Sequence, residues 1–313
     1  ERCEEVGRTV RRTLGVSHLI GGTAVSVLAH RQEVEGSPGI VLWAGLTGPV
    51  EVFRLPPEGP LPDGLVDGTA VVALADPFSF NGVALAGSVP PGLTLVGGLA
   101  SASSRPGGNR LFLDDDVYRD GAVALALPPG LGAQPLVSQG CRPVGEPMIV
   151  TSSEGSLLRT LGGRPALERL KAISDAAEPP ERALLSRGLH VGLVVDEQRE
   201  VFGSGDFLIR SVLGADRSTG AVAIGDHAPV GSTVQFQVRD ADAASGDLRD
   251  LTAAWDADSA LAFTCNGRGS NLFGRPGPDA EALVDGLDTT AVAGMFCAGE
   301  IGPVGGRHFL HGF

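Results

Sequence analysis

Apolar residues along this chain come in short runs cut by Gly- and Pro-rich turns, a pattern that predicts many strands of modest length. In the first half, Thr23–Ala29, Ile40–Trp43, Val50–Phe53, Ala70–Ala75 and Leu93–Val96 read as strands. Arg110–Leu113 and Gly121–Leu127 read as partners across the acidic turn Asp114–Asp116. A helical period appears first at Cys3, Val6, Val10 and Leu14, which share one face before a Gly15 cap. The texture changes after Val137. Pro165–Ala177 opens with a proline suited to a first helical turn and buries Leu167, Leu170 and Ile173, and Glu181–Leu185 makes a second short helix closed by Gly188. Strands at Leu189–Val195, Phe207–Val212, Ala221–Ile224 and Thr233–Val238 follow, then a helix from Ala243 to Trp255 and a strand at Ala260–Thr264.

One unit recurs. Strand Ala70–Ala75, a sharp turn at Asp76–Phe78, strand Leu93–Val96 and a glycine turn at Gly97–Gly98 are matched in order later in the chain. The second set is strand Ala260–Thr264, the turn Cys265–Gly269, a helix at Asp279–Leu287, strand Thr290–Met295 and the turn Cys297–Gly299. Asn109-Arg110-Leu111-Phe112 and Arg307-His308-Phe309-Leu310 follow at similar places. The order predicts a duplicated β-turn-α-β unit and an α/β fold of two related, packed domains, with the boundary near Leu136–Gly140.

Composition narrows the function classes. The 313 residues include 46 Gly, about twice the usual share of roughly 7%. Yet 42% are hydrophobic and only 19% charged, which describes a globular chain with many tight turns. The net charge is −13, and Lys171 is the single lysine among 24 basic residues. Nucleic-acid binding needs a basic face, and only Arg8, Arg11 and Arg12 cluster, so that class is set aside. No apolar run reaches the length of a membrane helix, and no signal-peptide pattern opens the chain. The start at Glu1 rather than Met reads as a fragment. Cys3, Cys141, Cys265 and Cys297 are too dispersed for a disulfide scaffold or a zinc site, which favours reduced thiols and a cytoplasmic setting.

Three segments carry the candidate chemistry: the loops Gln139–Pro147, Cys265–Gly269 and Cys297–Pro303, each joining a thiol, glycines and a charged or amide side chain. Such loops at strand ends are where α/β proteins hold ligands. The expected ligand-binding set is Cys141, Arg142, Glu146, Cys265, Asn266, Arg268, Cys297 and Glu300, joined by Asn109, Arg110 and Arg307 from the repeated strand starts. In a pocket between the domains, Arg142 or Arg268 would hold a carboxylate, and Asn266 and Glu300 an amine or hydroxyl. No catalytic residue, metal site or cofactor motif is assigned; His308 and His311 read as hydrogen-bonded histidines near a strand. Two rival classes stay open. A thiol enzyme would use an exposed, low-pKa Cys297 or Cys265, whereas a protein-interaction adaptor would show a sizeable exposed apolar patch.

These loops resemble the FIST family of sensory domains, found in bacterial signal transduction and in a eukaryotic F-box protein. The carrying segments are Pro106-Gly107-Gly108-Asn109-Arg110, Gly140–Pro147, Asp206–Arg210, Thr233–Asp240, Cys265–Gly269 with Leu272-Phe273-Gly274, and Phe296–Phe313. The resemblance implies a FIST N-like domain over 1–138 and a FIST C-like domain over 139–313. It also implies a cytoplasmic role in sensing small ligands, amino acids among them, with a signalling protein as a further partner. Family members usually carry a strand before the opening helix and a final strand after the point matching Phe313, so both ends read as clipped. Gly21-Gly22 stands where the family often has Gly-Cys, and His308 where Asn is usual.

Overall fold

The computed structural model describes residues 2–199, 201–203 and 205–312, and side chains from residue 4 onward, so the expected place of Cys3 on an apolar helix face lies outside the described residues. The chain forms two compact units. It leaves the first at Val137, runs through the second over Ser138–Leu251, and returns to the first over Thr252–Leu310.

The first unit is built in layers, and the alternation of each strand shows why. In Ala70–Ala75, the side chains of Val71, Ala73 and Ala75 pack with Leu85 and Ala86 of the helix Gly82–Gly87. Ala70, Val72 and Leu74 turn the other way, toward Phe263, Met295 and Cys297. The strand Val292–Cys297 does the same in reverse: Val292 and Phe296 pack with Ala280 and Val284 of the helix Pro278–Leu287, while Met295 and Cys297 face inward. Two sheets therefore lie face to face with a helix outside each. The larger has six strands, in the order Arg307–His311, Glu300–Val304, Thr94–Leu99, Ala70–Ala75, Ala122–Leu127, Glu51–Leu55. The smaller has four, in the order Ala260–Cys265, Val292–Cys297, Val27–Ala29, Gln32–Val34.

Both copies of the expected β-turn-α-β unit belong to this one unit. Ala70–Ala75 runs parallel to Thr94–Leu99, and Ala260–Cys265 runs parallel to Val292–Cys297. The sheets also exchange strands. Val27–Ala29, from the start of the chain, pairs with Val292–Cys297, while Glu300–Val304, from its end, pairs with Thr94–Leu99.

The second unit is an antiparallel barrel. Strand Cys141–Glu154 pairs over its first part with Thr233–Arg239 and over its last with Leu157–Leu161. Leu189–Val194, Phe207–Ala215 and Val222–Ile224 complete the circuit between them, so the sheet closes on itself. Register puts Val144, Val191, Leu193, Val234, Phe236 and Val238 on one face, all buried. The opposite face carries the buried polar residues His190, Gln235 and Gln237.

Three expectations are corrected. The segment from Cys141 to Pro147 is strand rather than loop; Gly145 and Pro147 are absorbed by a bulge between Val144 and Met148, where Gly145 takes a φ of +68°. Ile40–Trp43 is irregular chain rather than strand, because Pro38, Gly39, Gly45 and Pro49 interrupt it and no strand pairs with it among the described residues. The pairing of Gly121–Leu127 also differs: Ala122–Leu127 lies between Glu51–Leu55 and Ala70–Ala75, and Leu111–Leu113 turns back onto Asp116–Tyr118.

The two facing sheets of the first unit meet tightly at Gly98, where an added Cβ would stand 2.2 Å from Cys297 Sγ. Gly98→Ala is expected to cost about 2 kcal/mol through overpacking. In a denaturant double-mutant cycle, Gly98→Ala with Cys297→Ala should lose less than the two single changes added together. Strict additivity would show that the contact is not shared.

Candidate functional site

The first unit gathers its chemistry at the C-terminal ends of the parallel strands. Cys265 and Cys297 each end a strand and are register partners, so their side chains point to the same side. Neither is in a disulfide, and both are buried. Cys265 Sγ accepts from Gly267 N at 3.4 Å; Cys297 Sγ lies 3.6 Å from Met295 O. Glu300, half-buried, sits opposite Gly98 across the antiparallel pair. Burial, then Glu300, then Cys265 push the Cys297 thiol well above its ordinary pKa. Asn266 is exposed, and its N–H donates to Cys297 O at 2.9 Å.

Arg268 turns inward. Its Nε and Nη2 each donate at 2.7 Å to the Asp279 carboxylate, and Thr264 Oγ1 donates to the same group at 2.9 Å. The guanidinium also lies over the Phe273 ring, 5.4 Å from its centre. Beside it Glu33, buried, accepts from the N–H groups of Gly277, Asp279 and Ala280 and so closes the start of the helix Pro278–Leu287. Burial raises the Glu33 pKa against the pull of those N–H groups. The short helix Ser270–Phe273 is held in the same way, with Ser270 N and Oγ donating to Glu35.

Asn109 is fully buried with both ends of its amide engaged. Nδ2 donates to Asp76 Oδ1 at 3.0 Å and Oδ1 accepts from Ser103 N at 3.0 Å. Asp76 also accepts from Ser79 Oγ at 2.7 Å, so the pair ties together the loops after two strands. Arg110 donates to the carbonyls of Gly107 and Asn109 and faces Glu4 of the opening helix at 3.4 Å. Arg307 is exposed, its guanidinium 5.3 Å from the centre of the Phe309 ring. His308 Nε2 accepts from Leu95 N at 3.0 Å, which fixes the neutral ring with its proton on Nδ1, and burial lowers its pKa.

Cys141, Arg142 and Glu146 lie in the second unit. Cys141 packs with Val194, Phe207 and Ile209, and Glu146 is exposed at the bulge. Arg142 borders a groove of about 550 Å³ lined by Glu178, Pro180, Glu181, Leu184, Asp240, Ala241 and Asp242. Its Nη1 donates to Glu181 at 2.8 Å and its Nε to Asp240 at 3.1 Å, the Glu181 bond being the main cause of its raised pKa. Asp240 in turn accepts from Asp242 N and Ala243 N at the start of the helix Ala241–Thr252. A second hollow of about 360 Å³, lined by Pro57, Glu58 and residues 77–81, touches none of the expected ligand-binding residues.

Of the expected set, then, Cys265, Cys297 and Glu300 come together, Arg142 borders a cavity, and Asn109, Arg110 and Arg268 bind their own chain. The acidic partners Asp76, Asp279 and Glu33 were not singled out from sequence. Two carried a signal: Asp76 ends a buried strand, and Asp279 follows a helix-opening proline. Glu33 lies within a strand, where nothing marks it.

Family models match almost the whole chain: the FIST N domain over residues 2–164 and the FIST C domain over residues 166–303. The chain belongs to the FIST family. FIST domains are sensory domains of signal transduction. The chain is 45% identical over 321 residues to the uncharacterized protein Rv0628c of Mycobacterium tuberculosis, covering 97% of this chain and 84% of the relative. It is 43% identical over 330 residues to the uncharacterized protein Mb0898c of Mycobacterium bovis, covering all of this chain and 85% of the relative. The two FIST matches meet within the barrel strands, whereas the compact units divide at Val137 and Thr252. No helix among the described residues is long and apolar enough to cross a membrane.

Two predictions follow from the buried charges of this FIST chain. Arg268→Ala leaves Asp279 buried and unpaired, and should destabilise the protein by about 3–5 kcal/mol in chemical unfolding. His190 is buried beside Arg239, burial being the larger cause that lowers its pKa to about 4 from its ordinary value of 6.5. Its stabilising contribution is complete above pH 6.5, falls as pH drops toward 4, and changes little below; the full span is about 3 kcal/mol. Urea unfolding across that range should show this slope in the wild type and a flatter one in His190→Gln.

Proposed function

We propose that this FIST protein is a cytoplasmic small-molecule sensor whose ligand is an amino acid or a similarly small zwitterion, bound in the groove at Arg142. The observation that carries the reading is the setting of that guanidinium. Arg142 lines a groove of ligand size and is held there by Glu181 and Asp240 through Nη1 and Nε, which fixes a guanidinium at the groove for a ligand carboxylate. Glu178 and Asp242 on the same wall offer carboxylates to an ammonium group. With four carboxylates and one guanidinium around it, the groove favours a ligand bearing an amine over a plain anion. The cytoplasmic assignment is supported by Cys141, Cys265 and Cys297, each outside any disulfide.

Calorimetric titration with the standard amino acids and a set of small carboxylates tests this. Amine-bearing ligands should bind, and Arg142→Met should weaken them at least tenfold while leaving the melting temperature within a few degrees. Glu178→Gln should weaken amines and spare carboxylates. Unchanged affinity in Arg142→Met would overturn the assignment.

A second reading, the protein-interaction adaptor, is favoured by one observation. Residues 36–50 carry no charge and expose Ile40, Leu42, Trp43 and Leu46, with Leu46 wholly exposed at 105%. The thiol-enzyme reading draws less support, because Cys297 is enclosed and its pKa is raised, the reverse of an activated nucleophile.

A further inference from the structure

The pair Cys265 and Cys297 is unused by the proposed sensor groove, which lies in the other unit. Its geometry is specific. The two residues occupy the same register position on adjacent parallel strands, so both thiols project from one side of the sheet, next to Phe263 and Met295. Each residue is the last of its strand, and the next residues, Asn266 and Ala298, are exposed, so the pair lies one residue from solvent. Gly98 supplies the space opposite: with a hydrogen in place of a side chain, it admits Cys297 Sγ between the sheets.

Strand spacing decides what such a pair can do. Paired parallel strands stand about 4.8 Å apart. A disulfide draws the two Cβ atoms to about 3.8 Å, so a direct S–S bond requires the strands to move together. Two metal–sulfur bonds of roughly 2.3 Å laid end to end span about 4.6 Å, which matches the strand spacing as it stands. An ion bridging two thiolates therefore fits where a disulfide does not. Thiolate pairs select soft ions.

We infer that Cys265 and Cys297 form a two-coordinate site for a soft divalent cation of the Hg(II) class. Charge arithmetic favours the divalent ion. Both thiols lose their protons to solvent, two new metal–sulfur bonds form, and the product, M(SR)₂, is neutral. A monovalent ion would leave a net negative charge in this enclosed place beside Glu300, which is costly. Glu300 carries a negative charge near this pair, which attracts a cation held between the sulfurs.

The test uses Hg(II) as probe with millimolar glutathione as competitor, on the chain with Cys3→Ser and Cys141→Ser so that only this pair remains. The expected result is one ion per chain, two protons released per ion, and two sulfur neighbours in X-ray absorption with the protein monomer mass unchanged. Cys265→Ala or Cys297→Ala in that background should each reduce retention against glutathione at least a hundredfold. On the unsubstituted chain, hydrogen exchange should slow around Asn266 and Ala298 on loading. A single sulfur neighbour, an ion shared between two chains, retention unchanged in either alanine variant, or protection centred on Cys141 would each overturn the site.

Discussion

The first unit depends on how closely its two sheets approach at Gly98 and Cys297. Facing sheets ordinarily stand about 10 Å apart, with side chains filling the gap. Here one side of the gap contributes only a hydrogen, and the thiol of the other side fills the space. The turn from Cys297 to Glu300 then lies directly on the end of Thr94–Leu99: Ala298 N donates to Leu99 O, and Leu99 N to Gly299 O. Because the chain crosses from one sheet to the other at this contact, the strand exchange and the place of Glu300 follow from it.

The charges obey a complementary rule. This is an acidic chain whose basic residues are almost all arginine, and several of those arginines face their own carboxylates. Arg268 shows what the choice achieves: a planar guanidinium meets Asp279 with two donors and lies over Phe273, which an ammonium could not do in the same geometry. Glu33 and Glu35 do the converse work, using carboxylates from one strand region to close the starts of two helices. Arg142 differs because its network opens onto a groove, which is why the sensing proposal rests there rather than on Arg268.

Much of the secondary structure was legible because its signals are local. Ala70–Ala75, the helix behind Pro165 and the helix behind Pro278 follow from a short unbroken apolar run, helical period and proline placement. The duplicated β-turn-α-β order was equally readable. What escaped was non-local. Nothing local shows that the strand at Glu300 completes a sheet begun near Ala70, or that Gly145, Pro143 and Pro147 sit in a bulged strand rather than a loop. The same holds for the candidate residues. Sequence singles out Asn109 and Arg268 by type, but the partners that engage them, Asp76 and Asp279, come from another loop and from the start of a helix. Sequence puts Cys265 and Cys297 in one candidate set, but only the parallel register makes them neighbours.

The strand exchange has a consequence for biosynthesis. The six-stranded sheet opens with a strand at Glu51 and is completed on its far side by Glu300–Val304 and Arg307–His311, which come much later in the chain. Until those residues emerge from the ribosome, Thr94–Leu99 presents an unpaired edge, while the whole barrel of the second unit is synthesised in between. Such long-range closure makes for slow folding and an aggregation-exposed nascent chain. The contiguous barrel, closed by Cys141–Glu154 pairing at both ends, is the part that can fold early and wait.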